Sequence, residues 1–234
     1  MAKLYIVPTP IGNLEDITLR SINVLIDSDL VLCEDTRRSK ILMSHYKINT
    51  QLKSFHKFNE HKEVDSIVDQ IKEGKKISLI SDAGTPGISD PGFLIVRTCI
   101  ESEIEIECLP GATAFVPALI NSGIPSDKFV FEGFLPVKKG RKTRLEMLSN
   151  EKRTMIFYES PHKILKTLND FKVNFGSERK ISISRELTKV YEENIRGTVE
   201  EVISFFGDKK IKGEIVIVVE GNKNSKWSGL KKKI

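Results

Sequence analysis

The residues from Ser81 to Gly92 read SDAGTPGISDPG, with three glycines, two prolines and two aspartates in twelve positions. Such a stretch belongs to neither a helix interior nor a strand interior. Glycine lets backbone N–H and C=O groups come close to a ligand, which bulkier residues would hold away. The stretch follows an apolar run at 77–81, and α/β proteins gather their ligands on loops leaving the carboxyl ends of strands. Two further loops have the same character: PTPIGNLED at 8–16 and LPGAT at 109–113. The two glycine-rich loops at 81–92 and 109–113, each after one of two neighbouring strands, imply one shared pocket. Asp90-Pro91 reads as the N-cap and first residue of the following helix. No phosphate-loop lysine accompanies these glycines and no GxGxxG occurs, which disfavours an ATPase or an ordinary NAD-dependent dehydrogenase.

Charged groups collect at other strand ends. Glu34-Asp35-Thr36-Arg37-Arg38 closes an early apolar run, with Asp35 or Thr36 suited to cap the next helix. FYESPH at 157–162 and SRELTK at 184–189 do the same in the second half, Ser160 reading as an N-cap with Pro161 behind it. Between 138 and 153 stand Lys138, Lys139, Arg141, Lys142, Arg144, Lys152 and Arg153 against only Glu146 and Glu151. Acids, ammonium groups and guanidinium groups at strand ends suit a polar substrate surface rather than a core. A metal centre is not expected. The cysteines Cys33, Cys99 and Cys108 form no CxxC pair, and His56 and His61 are five apart with no partner at ligand spacing. Cys33 and Cys108 each end an apolar run and read as buried thiols.

These loops need a frame. Short β-branched runs at 4–7, 30–33, 77–81, 104–109, 129–132, 154–158, 181–184 and 214–219 alternate with amphipathic stretches. Leu19, Ile22, Leu25 and Ile26 share one helical face; Val64, Ile67, Val68 and Ile71 share another, which Gly74 ends. Alternation of this kind predicts α/β layers. A break falls where GATAFVPALINSG meets Pro125-Ser126-Asp127-Lys128, giving two α/β/α domains over 1–118 and 119–221, with a basic tail over 222–234. The net charge of +5 resides in that tail: lysines 223, 226, 231, 232 and 233 follow the last acid, Glu220, and the preceding chain balances 32 against 32. No apolar run approaches the length of a membrane span, and Pro8 interrupts the N-terminus before a signal-peptide core could form. A soluble, cytoplasmic protein is the expectation.

PTPIGNLEDIT, EDTR, SDAGTPGISDPG, LPGATA, FEGFLP, YESPH and SRELTK, in this order, resemble the ribosomal RNA methyltransferase branch of the tetrapyrrole methylase-like (class III) S-adenosylmethionine-dependent methyltransferases. The resemblance runs from about residue 3 to 221. It implies S-adenosylmethionine in a cleft between the two domains, a homodimer, and methyl transfer to the ribose 2′-hydroxyl of a cytidine in the decoding region of small-subunit ribosomal RNA. By position, Pro10 and Ile11, then Gly84, Thr85 and Ile88, then Pro110, Gly111, Thr113 and Ala114, and finally Gly213 and Glu214 would meet the cofactor. Thr85 stands where related methylases have Asp. His56, Asn59 and Glu60 match a histidine-rich stretch of the family, while Phe58 departs from it. Members of the branch often carry a further C-terminal helical region, so RNA affinity here would rest more on the 138–153 patch and on a second subunit.

For such a reaction the nucleophilic oxygen, methyl carbon and sulfur must lie in line, and orientation alone is worth several kcal/mol. A ribose hydroxyl also needs a base or a nearby cation. Glu159, Glu186 or Lys189 would act on the hydroxyl, while Arg37, His56, Arg141, Arg144 and Arg185 would hold the RNA. Three alternatives share the fold or the partner: a corrinoid-type methylase, a diphthamide-pathway methyltransferase, and a non-catalytic RNA-binding module. PTPIGN in place of a G-x-G-x-G-D loop argues against the first, SDAGTPGISDPG and YESPH against the second, and the intact glycine loops against the third.

Overall fold

The computed structural model describes residues 3–207 and 209–223, so most of the basic tail lies outside the described residues. The chain divides into two compact units that part between Ala114 and Phe115.

The first unit carries strands β1 (Lys3–Ile6), β2 (Leu30–Cys33), β3 (Leu52–Ser54), β4 (Lys76–Leu79) and β5 (Glu105–Cys108). Its helices are α1 (Leu19–Asp27), α2 (Thr36–His45), α3 (Glu60–Lys72) and α4 (Phe93–Glu101). All strand pairs are parallel, in the order β3-β2-β4-β1-β5. A parallel sheet buries both faces, which is why β2 is apolar at all four positions. Leu25 of α1 and Met43 of α2 pack with Val7, Val31 and Ile80 in one core. Ile67 and Ile71 of α3, with Ile95 and Cys99 of α4, pack with Leu4, Leu32 and Ile77 in the other. Connections after β2 and after β4 run in opposite directions along the sheet, so the order reverses between these two strands.

The second unit begins with helix α5 (Phe115–Ser122), which packs on the second sheet and which a boundary at 118 would have cut in two. Strands β6 (Phe129–Phe134), β7 (Thr154–Glu159), β8 (Lys180–Arg185), β9 (Glu193–Thr198) and β10 (Ile215–Val219) follow, in the order β6-β7-β10-β8-β9. Only β6–β7 is parallel. Helices α6 (Arg141–Leu148), α7 (Ile164–Phe175) and α8 (Val199–Phe206) cover the face opposite α5, around Met155, Phe157, Ile183 and Ile217.

Among the described residues, ten strands appear where apolar runs predicted eight. The additional two, β3 and β9, each lie at one edge of a sheet and read LKS and ENIRGT. Edge strands bury less and need no apolar run. Two expected caps also move. Helix α4 starts at Phe93 behind Gly92, whose φ of 143° suits glycine, so Asp90-Pro91 precedes the helix. Helix α7 starts at Ile164, and Ser160 instead holds a preceding turn by accepting from the His162 N–H at 3.3 Å. Asp35 does cap α2, accepting from the Arg37 N–H at 2.9 Å. Cys108 is exposed, not buried, because β5 is the outermost strand of its sheet.

Candidate active site

Three loops meet at the carboxyl end of the first sheet. The strand order places the loops after β4 and β5 on either side of the loop after β1, so the two glycine-rich loops leave strands that flank β1 rather than each other. They nevertheless touch. Thr9 and Gly84 exchange two backbone hydrogen bonds of 2.9 Å, and the Thr9 hydroxyl donates to the Ser81 carbonyl at 3.0 Å. The Thr85 hydroxyl donates to the Ala112 carbonyl at 3.0 Å, tying the β4 loop to the β5 loop. Gly111 lies so close to Pro8 that an added Cβ would sit 2.5 Å from the proline Cβ. Gly84 has a φ of +86°, and a Cβ there would reach Ile11 and the Ala112 carbonyl. Pro10, Ile11, Gly84, Thr85, Ile88, Pro110, Gly111, Thr113 and Ala114 thus lie on three interlocked loops, with backbone brought close where only glycine leaves room. That arrangement fits a flat, polar cofactor held by main-chain groups.

Beside these loops, where the strand order reverses between β2 and β4, lies a cavity of about 460 Å³. Open α/β sheets bind ligands at such reversals. Glu34, Arg37, Arg38, His56, Lys57 and Asp82 are among its lining residues. Asp82 accepts from the Asp35 N–H at 3.1 Å and from Arg38 at 3.2 Å, pinning the β2 loop to the β4 loop. Arg37 donates to both Asp35 oxygens, at 3.0 and 2.7 Å, and its guanidinium holds that carboxyl well below the usual range. Burial, reinforced by Asp82, instead pushes the Glu34 carboxyl up. Asn59 fixes the loop carrying His56: its side-chain oxygen accepts from the His56 N–H at 2.7 Å, and its amide donates to the Ser54 carbonyl at 3.0 Å. Arg38, Lys57 and Asp82 were not among the expected substrate residues. Their grouping depends on strand order, which no local motif displays.

In the second unit, the loop after β8 brings four expected site residues together. Glu186 Oε1 accepts from the Glu214 N–H at 2.9 Å and from Lys189 at 2.8 Å, and Lys189 also donates to Glu214 at 3.0 Å. Gly213, at a φ of +93°, passes directly over the Glu186 side chain. Glu186 and Thr188 hold φ values of 53° and 65°, an unfavourable region for non-glycine residues that the surroundings must enforce. Burial raises the Glu186 carboxyl, but Lys189 and the Glu214 N–H outweigh it and leave a net lowering. Burial lowers the Lys189 ammonium, but its two carboxylate partners raise it further. The pair is held as an anion and a cation, which makes the Glu186 carboxylate a weaker base than an ordinary glutamate and leaves the Lys189 ammonium without a lone pair to take a proton.

Several expected roles change on inspection. Arg141 is buried, donating to Asp170 at 2.8 Å, to the Thr167 hydroxyl at 2.8 Å and to the Pro136 carbonyl at 3.2 Å. The same Thr167 donates to Glu159, whose other oxygen accepts from the Ser160 N–H at 2.7 Å. Arg141 and Glu159 therefore belong to one interior network joining β7, α6 and α7, and neither presents its charge to a substrate. Three of the five guanidinium N–H donors are spent on internal acceptors, and burial keeps the group from the surface where a phosphate would dock. Arg144 forms a two-pronged pair with Glu132 at 2.8 and 2.6 Å, and Arg185 pairs with Glu193 at 3.1 Å. Among the described residues, no group of His, Cys, Asp or Glu is placed to hold a metal ion, and no helix is long and apolar enough to cross a membrane.

Residues 3–203 match the tetrapyrrole (corrin/porphyrin) methylases. A ribosomal RNA small subunit methyltransferase I from Thermotoga maritima is 47% identical over 221 residues, covering 94% of this chain and 99% of that one. Its counterpart from Haemophilus influenzae is 48% identical over 225 residues, covering 95% and 80%. Among solved structures, a diphthine synthase superposes with a TM-score of 0.73 at 9% identity, over 93% of this chain and 90% of its own. A uroporphyrin-III C-methyltransferase from Thermus thermophilus, complexed with S-adenyl homocysteine, gives 0.65 at 14% identity, over 93% and 97%. Those structural likenesses attest the fold. Sequence identity near one half over almost the whole length goes further, and by it the chain belongs to the ribosomal RNA small subunit methyltransferase I family, within the tetrapyrrole methylases.

Proposed function

We propose that this chain is an S-adenosylmethionine-dependent methyltransferase that modifies the ribose 2′-hydroxyl of a cytidine in the decoding region of small-subunit ribosomal RNA. The observation that carries the reading is the three-loop cradle, in a chain whose curated relatives are named for methylating that RNA. Pro10, Ile11, Gly84, Thr85, Ile88 and the 110–114 loop would hold the cofactor, which when bound supplies an electrophilic methyl group.

The chain's own part is positioning and charge. The cavity between β2 and β4 adjoins the cradle, a single residue, Ala83, separating Asp82 from Gly84. Arg37, Arg38 and Lys57 there offer cations to phosphates flanking the target nucleotide, and His56 offers a ring at the same cavity. Glu34, with its carboxyl raised by burial, is the better proton acceptor for a hydroxyl than Glu186. In the second unit, Lys189, kept cationic, would act by charge rather than by taking a proton. Gly213 and Glu214 complete the Lys189 cluster. The working assembly in this reading is a cytoplasmic homodimer acting on the small ribosomal subunit.

The test is methyl transfer from labelled S-adenosylmethionine to small subunits lacking the modification, followed by nucleoside analysis. Label in 2′-O-methylcytidine supports the reading. Measurable cofactor binding with no label on RNA overturns it and points to tetrapyrrole or protein substrates.

A further inference from the structure

Strand β6 is an outer strand of the second sheet, and its register against β7 shifts between Phe131 and Gly133. Strict alternation would turn Phe134 to the face opposite Phe131. The shift, with Gly133 at a φ of 60°, adds one residue and returns Phe134 to the same face. Both rings then meet Tyr158 edge-on, at 5.0 and 5.7 Å between centroids. Phe115 extends the row, 5.1 Å from Phe131 and 6.2 Å from Phe129. The row is not sealed: Phe134 is 59% exposed.

Phe134 also walls a cavity of about 540 Å³ between β6 and α6, together with Pro136 and Met147. The Arg144–Glu132 pair lines the same cavity. Lys138 and Lys139, on the connection from β6 to α6, are exposed and form no ion pair among the described residues. Lys142, one residue into α6, is exposed with Glu146 at 3.8 Å. An exposed flat ring, with two exposed ammonium groups four and five residues further along the same connection and a third at the start of α6, has a chemical complement. Every unpaired nucleobase has a π-face that stacks on aromatic side chains, and the strand that carries it is a polyanion. A duplex keeps its bases stacked internally and cannot use such a ring. A purely apolar protein partner would have no use for the lysines.

We propose that this groove of the second unit binds an unpaired nucleotide of the substrate RNA, its base against Phe134 and its phosphates on Lys138, Lys139 and Lys142. The inference rests on the RNA-methyltransferase reading and adds a docking site that neither the cofactor loops nor the β2–β4 cavity supplies. The register shift is what brings Phe134 into the aromatic row.

The experiment measures binding of the full chain to a labelled single-stranded oligoribonucleotide and to a duplex of the same sequence, with cofactor binding followed in parallel. Phe134→Ala should weaken single-strand binding about tenfold with little change in its salt dependence, while Phe134→Tyr keeps it. Replacing Lys138, Lys139 and Lys142 by Ala should weaken binding and flatten the salt dependence. Phe134 is exposed, and a thermal melt confirms that the variant remains folded. Unchanged single-strand affinity in Phe134→Ala, with small subunits still methylated, overturns the groove and leaves the methyltransferase reading standing. A change in oligomeric state on Phe134→Ala without loss of RNA affinity makes the groove a contact between copies and also overturns it. A parent chain that binds cofactor but neither binds nor methylates RNA removes the reading beneath the proposal instead.

Discussion

At the scale of single residues, charge in this protein is divided between groups held inside and groups left outside, and the division is not visible in the order of residues. Arg141 and Arg144 sit three apart in the same basic segment, yet Arg141 is buried with three internal acceptors while Arg144 lines a surface cavity. The partners that decide this lie far along the chain, Asp170 for one and Glu132 for the other. Arg141→Ala should therefore lower the unfolding free energy by about 3 kcal/mol, since it strands buried polar partners. Urea denaturation would measure it; loss of RNA affinity at unchanged stability would show instead that Arg141 faces the substrate. Glu151 provides a pH probe. The bidentate bond from Arg153 outweighs burial and holds its carboxyl at about 2, against 4.5 for an ordinary glutamate. A depressed carboxyl stabilises the fold above its unfolded value and loses that contribution as pH falls through the folded value. Glu151→Gln should accordingly melt below the parent at neutral pH, and the gap should close between about pH 5 and about pH 2. Melting curves over that range would show it, and a gap independent of pH would remove the carboxylate from the account.

At the scale of elements, the loops were more legible than the strands that frame them. Glycine and proline mark a loop wherever they cluster, so all three cradle loops stood out in the sequence. Buried strands such as LVLC and IVIVV announced themselves by being wholly apolar. The polar edge strands β3 and β9 did not, because what makes them strands is pairing with β2 and β8. Strand order was equally hidden, and with it the cavity between β2 and β4. The cradle yields a sharp expectation. Gly111→Ala places a methyl group against Pro8, forcing the loops after β1 and β5 apart, and should weaken cofactor binding more than tenfold, on the order of 1.4 kcal/mol or more. Gly123→Ala is the control: a Cβ there meets nothing within 4 Å, so only the backbone cost of its φ of +68° remains. Titration calorimetry on both variants decides it; equal affinities would mean the cofactor does not depend on this close approach.

At the scale of the whole chain, two units of five strands each enclose their own cores, and the sequence divides its work between them. The cradle and the β2–β4 cavity belong to the first, the strained Glu186–Lys189 loop and the aromatic row to the second. Their completion differs in time. In the second sheet the last strand to be made, β10, is the middle one, bonded to β7 on one side and β8 on the other. Until Ile215–Val219 has emerged from the ribosome, the β6–β7 pair and the β8–β9 hairpin are two half-sheets with their central bonding edges open. Synthesis at ordinary rates leaves β7 waiting several seconds for that partner. Nascent chains arrested with β10 still in the exit tunnel should be cut readily by protease within the second unit, and those arrested later should resist. The five residues of β10 thus act as the closing piece of a structure begun about ninety residues earlier, and a chaperone guarding those open edges would have its longest task there.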